Sequence, residues 1–161
     1  MIKTLTMKAK RTMKGAIEDM FVLDNNNTNV RRLKKTEREF KKAYKLDGVV
    51  VKYVDPKGKA FLTSKESIKG YYNYGRKVAV VFVDGDVETN TKTLLHELTH
   101  AYQDKYMNKQ FQSSHIALAN KTVLYANAWH EKHARHCADV LALGYIGKID
   151  LRYAMDYAIV A

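Results

Sequence analysis

The run His96-Glu97-Leu98-Thr99-His100 constrains this chain more than any other feature. Residues four apart on an α-helix lie on one face, about one turn along, so the two imidazoles are neighbours there. At about 100° per residue, Leu94, Leu95, Leu98, Ala101, Tyr102 and Lys105 fill one broad arc. His96, Glu97, His100, Asp104 and Met107 fill the opposite one. The pattern predicts a helix with an apolar face for a core and a separate face bearing the potential ligands. Thr89, Asn90 or Thr91 is expected to cap it, and Met107 to lie near its end.

Two imidazoles so placed can hold one divalent cation through neutral ring nitrogens, and Zn²⁺ is the expected ion. Glu97 stands beside them, in reach of a water at the ion, where a carboxylate serves as general base. A third protein donor is needed if one position is to stay open. His115, His130, Glu131, His133 and His136 are the candidates: four of the chain's six histidines and a glutamate within 22 residues. Glu131 shares a predicted helix with Ala134 and Ala138, whose small side chains permit close approach to the motif helix. His115 follows a polar loop and can reach back. Asp104, one turn after His100, is a candidate partner for an imidazole. Tyr125, His133, Arg135 and Tyr157 are candidates to steady a developing oxyanion.

The rest of the chain alternates helices with a little sheet. Residues 5–23 read as a helix with Met13, Ala16, Ile17, Met20 and Phe21 on one face. Residues 30–46 read as another, capped by Asn29 and striped by Val30, Leu33, Phe40 and Tyr44. Asp47-Gly48 is expected to end it. Residues 49–54 are a strand by β-branched content, and 55–58 a turn. Residues 59–63 are expected to pair back as a hairpin, and 64–75 stay ambiguous. Residues 77–83 form the clearest strand, and an extended substrate is expected to pair with it. Ser113-Ser114 is read as the cap of a helix from His115 to about Leu143, with a break near Asn127. Residues 150–160 suggest a short terminal helix. The expected fold is α+β: N-terminal helices, a small twisted sheet, the motif helix and C-terminal helices.

With 161 residues and one proline, the chain fits a single domain over 1–161, divided into a basic helical part (1–46) and a core (47–161). The net charge is +11, and residues 1–45 carry thirteen Lys or Arg against five Asp or Glu. Such a surplus attracts nucleic acid, acidic proteins or anionic lipid. No apolar run is long enough to cross a bilayer, so no membrane role is expected. Lys8, Lys10, Arg11 and Lys14 interrupt any signal-peptide core, and the single Cys137 cannot form an internal disulfide. The cytoplasm is the expected compartment.

Residues 93–102, Thr-Leu-Leu-His-Glu-Leu-Thr-His-Ala-Tyr, resemble the motif helix of zincin metallopeptidases. Two branches are similar. SprT-like peptidases, which include proteases that digest DNA-crosslinked proteins, take a third His after a polar loop, and His115 falls at a comparable distance. In that family Gly usually follows, whereas this chain reads His115-Ile116-Ala117. ImmA/IrrE-type glutamate zincins take a Glu on a later helix followed by alanines, which residues 129–139 resemble with Glu131 in the ligand position. The resemblance covers roughly 77–142. It implies a zinc-dependent peptidase acting on a protein or peptide, with His96, His100 and Glu131 (alternatively His115) as ligands and Glu97 as base. A basic nucleic-acid-binding protein with a structural zinc is the reading from a different class. The motif itself specifies water activation and leaves the bond attacked open.

Overall fold

The computed structural model describes residues 15–61, 68–145, 147 and 154. Within them the chain is α+β, mostly helical with one three-stranded sheet. Residues 15–20 are helical, and the expected face is covered in part: Ile17 is buried, and Phe21, just past the helix, packs against Val54, Val78, Val80 and Phe82. Ala16 and Met20 are exposed, whereas Ile17 and Glu18 are buried. Glu18 overrides the apolar pattern because Arg76 grips its carboxylate at 2.8 and 2.9 Å and the Tyr71 hydroxyl donates to it at 2.6 Å. Met13 and the preceding residues lie outside the described residues.

Helix α1 spans Thr28–Tyr44. Its cap is Asn27 rather than Asn29: Asn27 has an extended backbone, and its side-chain oxygen accepts from the Val30 amide at 3.2 Å. Val30, Leu33 and Phe40 are buried as the stripe predicts. The helix stops before Asp47-Gly48, because Lys45 turns left-handed at φ 53° and caps it.

Strand β1 (Val50–Val54) follows. The expected hairpin at 59–63 does not form from residues 59–61. Asp55 instead starts a 3₁₀ turn over Pro56–Phe61, its carboxylate accepting from the Lys57 amide at 2.9 Å; residues 62 and 63 lie outside the described residues. Strand β2 (Gly70–Asn73) comes from the stretch that the sequence leaves ambiguous. Strand β3 (Val78–Phe82) is buried along its whole length, because it is the central strand, parallel to β1 and antiparallel to β2. Successive side chains of β2 point to opposite faces of the sheet. Tyr71 thus reaches Glu18 on one side and Tyr72 reaches Asp104 on the other, at 2.6 and 2.8 Å.

Helix α2 (Val87–Tyr106) carries the motif. Its cap is Asp86, ahead of the expected threonines, with a carboxylate oxygen 2.7 Å from the Thr89 amide. Helix α3 (Asn108–Ala119) follows almost at once. Ser113 and Ser114 therefore sit inside α3 rather than capping a helix at His115. The segment expected to be helical from His115 is broken across residues 120–128, which include a 3₁₀ turn at Tyr125–Asn127. Helix α4 (Trp129–Tyr145) then packs along α2. Residues 150–160 lie outside the described residues apart from Ala154, which is helical and buried.

One apolar cluster joins α1 (Val30, Leu33, Phe40), Tyr53, Val81, α2 (Leu94, Leu95, Leu98) and α4 (Cys137, Ala138, Leu141). It crosses the boundary drawn at 46, so the basic helix α1 is part of the same core. Helix α2 is covered on its other side as well. Glu97, Thr99, His100, Gln103 and Asp104 are buried there, so the face bearing the candidate ligands is largely covered by other elements. Among the described residues no helix is long and apolar enough to cross a membrane.

Candidate metal centre

Helix geometry sets His96 and His100 side by side, with ring centroids 4.8 Å apart and planes at 85°. Their Nε2 atoms are 3.2 Å apart. Glu131 on α4 closes the group. One carboxylate oxygen lies 3.0 Å from His96 Nε2 and the other 3.1 Å from His100 Nε2. Ala134 and Ala138 are buried on α4, and their small side chains let the two helices approach closely enough for this contact. Thus three donors from two helices, 35 residues apart in sequence, converge on one point.

Hydrogen bonding determines which imidazole nitrogen of His100 faces that point. The Gln103 side-chain amide donates to the His130 carbonyl at 3.0 Å and meets His133 Nδ1 at 2.8 Å. A carbonyl only accepts, so the amide nitrogen must face it. The Gln103 oxygen then accepts from His100 Nδ1–H at 2.9 Å. Neutral His100 therefore turns a bare Nε2 lone pair toward His96 and Glu131, the tautomer a metal ligand requires. Gln103 is fully buried and was not among the sequence candidates. Asp104, which was, bonds Tyr72, Lys77 and Asn108 instead, bracing α2 against the sheet.

The donor set fits a divalent ion. Two neutral nitrogens and one carboxylate match a three-ligand zinc site with an open position. A tetrahedral ion with bonds of about 2.0–2.1 Å sets its donors about 3.3 Å apart. The two imidazole nitrogens, 3.2 Å apart, lie close to that edge length, and each has one oxygen of the Glu131 carboxylate beside it.

Glu97 is buried beside the cluster. Burial pushes its carboxyl up to about 7, the Glu131 charge adding to the rise and His100 opposing it. Gly70 lets β2 come close here: a Cβ would lie 2.6 Å from the Val80 carbonyl oxygen, 2.9 Å from Thr93 Cγ2 and 3.3 Å from Glu97 Cγ. Two cavities flank the cluster. A groove of about 720 Å³ lies on the His96 side, between Gly70-Tyr71, α2 and α4. A pocket of about 190 Å³ lies on the His100 side, walled by Tyr72, Phe111, His115 and Leu118. Glu97, Glu131 and Tyr125 line both.

His115 does not join the three donors. It stacks on His130 at 4.1 Å between ring centroids and packs edge-on against Phe111. His130 is buried, with Nδ1 2.6 Å from the Ser114 hydroxyl; burial and the neighbouring histidines bring its pKa down to about 4. His133 is taken up by Gln103 and by stacking on Trp129, so it is not directed at the cluster. Of the oxyanion candidates, Tyr125 and Arg135 line the groove, although the Arg135 guanidinium also donates to the Ala126 carbonyl. Tyr157 lies outside the described residues.

No family model, curated protein or solved structure matches the chain. What the site can do is therefore read from its own residues.

Proposed function

We propose that the chain is a zinc-dependent metallopeptidase of zincin-like fold, with His96, His100 and Glu131 as ligands and Glu97 as general base. The convergence of those three donors next to a buried carboxyl, on the wall of an open groove, carries the reading. Of the two similar branches, the glutamate zincins suit the donors better, since Glu131 meets the histidines and His115 does not. A purely structural zinc site closes with four protein donors. Among the described residues three converge, which leaves room for water or substrate.

When bound, zinc supplies Lewis acidity that polarises the scissile carbonyl and acidifies water. Glu97 takes the water proton and hands it to the leaving amine. Burial strengthens the hold of its carboxyl on a proton, which suits a group that must carry one between the two transfers. Tyr125 lines both cavities and hydrogen-bonds Glu131; turning its hydroxyl from that carboxylate to the developing oxyanion would supply a donor there. Pairing of a substrate with β3, expected from the sequence, is blocked because β1 and β2 occupy both its edges. Strand β2 is the sheet edge that borders the groove, and an extended peptide laid along it passes Glu97.

The deciding experiment is Glu97→Gln. Zinc content should stay at about one ion per chain while peptidase activity on a mixed peptide library disappears. Activity retained by the variant, or a wild-type chain that takes up no zinc, overturns the reading.

A further inference from the structure

The basic surplus of the N-terminal part takes a definite form on α1. Arg31, Lys35, Arg38 and Lys42 recur at steps of four, three and four residues, which is one helix face. All four are exposed, opposite the face that buries Val30, Leu33 and Phe40. Among the described residues none of the four has a carboxylate partner. The ion pair that α1 does contain, Lys41–Glu37 at 3.1 Å, lies toward the buried side. At about 1.5 Å per residue the stripe is about 16 Å long, over which one strand of a duplex presents about five phosphates.

A second observation adjoins it. A cleft of about 300 Å³ between α1, the start of α2 and the end of α4 is lined by Arg32, Lys35, Thr36, Thr91 and Tyr145, with Glu39 the one acid. The Tyr145 hydroxyl is buried with no hydrogen-bond partner among the described residues. A buried hydroxyl without a partner is uncommon, and an incoming anionic oxygen supplies one.

We propose that this face binds the phosphodiester backbone of nucleic acid without reading its sequence, one phosphate being held by Arg32 and Lys35 against the Tyr145 hydroxyl. A protein partner needs an apolar centre to bury, and the stripe offers none. A membrane-surface helix needs a free apolar face, and that of α1 is committed to the core. The proposal does not rest on the metal centre.

The test is fluorescence anisotropy of the full chain with a mixed-sequence DNA duplex at several salt concentrations. Four phosphate contacts predict a slope of log affinity against log salt of about −3.5. Lys35→Glu with Arg38→Glu should weaken binding at least tenfold and flatten the slope by about two. Lys109→Glu with Lys121→Glu makes the same charge change at exposed sites elsewhere and should cost less than threefold. Tyr145→Phe should weaken binding several-fold at unchanged slope; no loss removes the cleft from the site. Glu97→Gln should bind like the wild type, which separates this face from the peptidase reading. Three results overturn the proposal: no binding at low salt, equal losses in the two charge-reversed pairs, or equal affinity for phosphatidylserine vesicles or polyglutamate.

Discussion

Gln103 accepts a hydrogen bond from His100 Nδ1 at 2.9 Å while its own amide is held by the His130 carbonyl at 3.0 Å. One side chain thereby joins the motif helix to α4 and orients the imidazole that faces Glu131. Outer partners of metal-binding histidines affect affinity by about 10–100-fold when removed. Gln103→Leu should therefore lower zinc affinity by that order, read by chelator competition on folded protein. An unchanged affinity means that packing alone positions the ring.

The third ligand can be decided by substitution. Glu131→Gln keeps the shape of the side chain but removes its charge, and it should abolish stoichiometric zinc uptake. His115→Ala should leave zinc uptake intact, because that ring is engaged with His130 and Phe111. Zinc per chain, measured after dialysis, separates the two outcomes. The reverse pattern would reinstate His115.

Gly70 is needed for space rather than for backbone freedom. Gly70→Ala puts a methyl 2.6 Å from the Val80 carbonyl oxygen, which is backbone of the central strand and cannot swing away. Overpacking of this kind costs about 1–3 kcal/mol. A lowered denaturation midpoint in urea, with an unchanged slope, is the expected result. A variant as stable as the wild type would show that β2 can move away from α2 without loss.

Glu18 predicts an acid limb in stability. Burial raises its carboxyl, but hydrogen bonds from Arg76 and Tyr71 and the charges of Arg76 and Lys52 outweigh this and hold it below the ordinary carboxylate value. The folded state therefore binds its proton less readily than the unfolded chain. The stabilisation is present above the ordinary carboxylate range and is lost as pH falls through the depressed value. Glu18→Gln should flatten that limb in urea melts at pH 3 to 7. Glu18→Ala should cost about 3 kcal/mol, the low end for a broken buried pair, because Arg76 is 33% exposed. Identical pH profiles for wild type and Glu18→Gln would remove Glu18 as the cause.

Local chemistry determined what was legible in the sequence. The motif helix follows from a four-residue spacing and an apolar arc, and both are properties of a single helix. The central strand announced itself by a continuous apolar run rich in valine, and α1 by its stripe. Glu131 could be named as a candidate from its residue type and the alanines after it.

Tertiary structure alone decided the remainder. Caps shifted to Asn27 and Asp86 because a cap depends on backbone angles as well as on side-chain type. Strand β2 was hidden because its tyrosines are held by Glu18 and Asp104, which are distant in sequence. Buried Glu18 broke the apolar pattern of its helix for the same reason. Gln103 carries no ligand signature, and its role arises only where a carbonyl from another helix determines which end of its amide accepts. Spacing within one element is written along the chain; the meeting of donors from two elements depends on how the core packs them together.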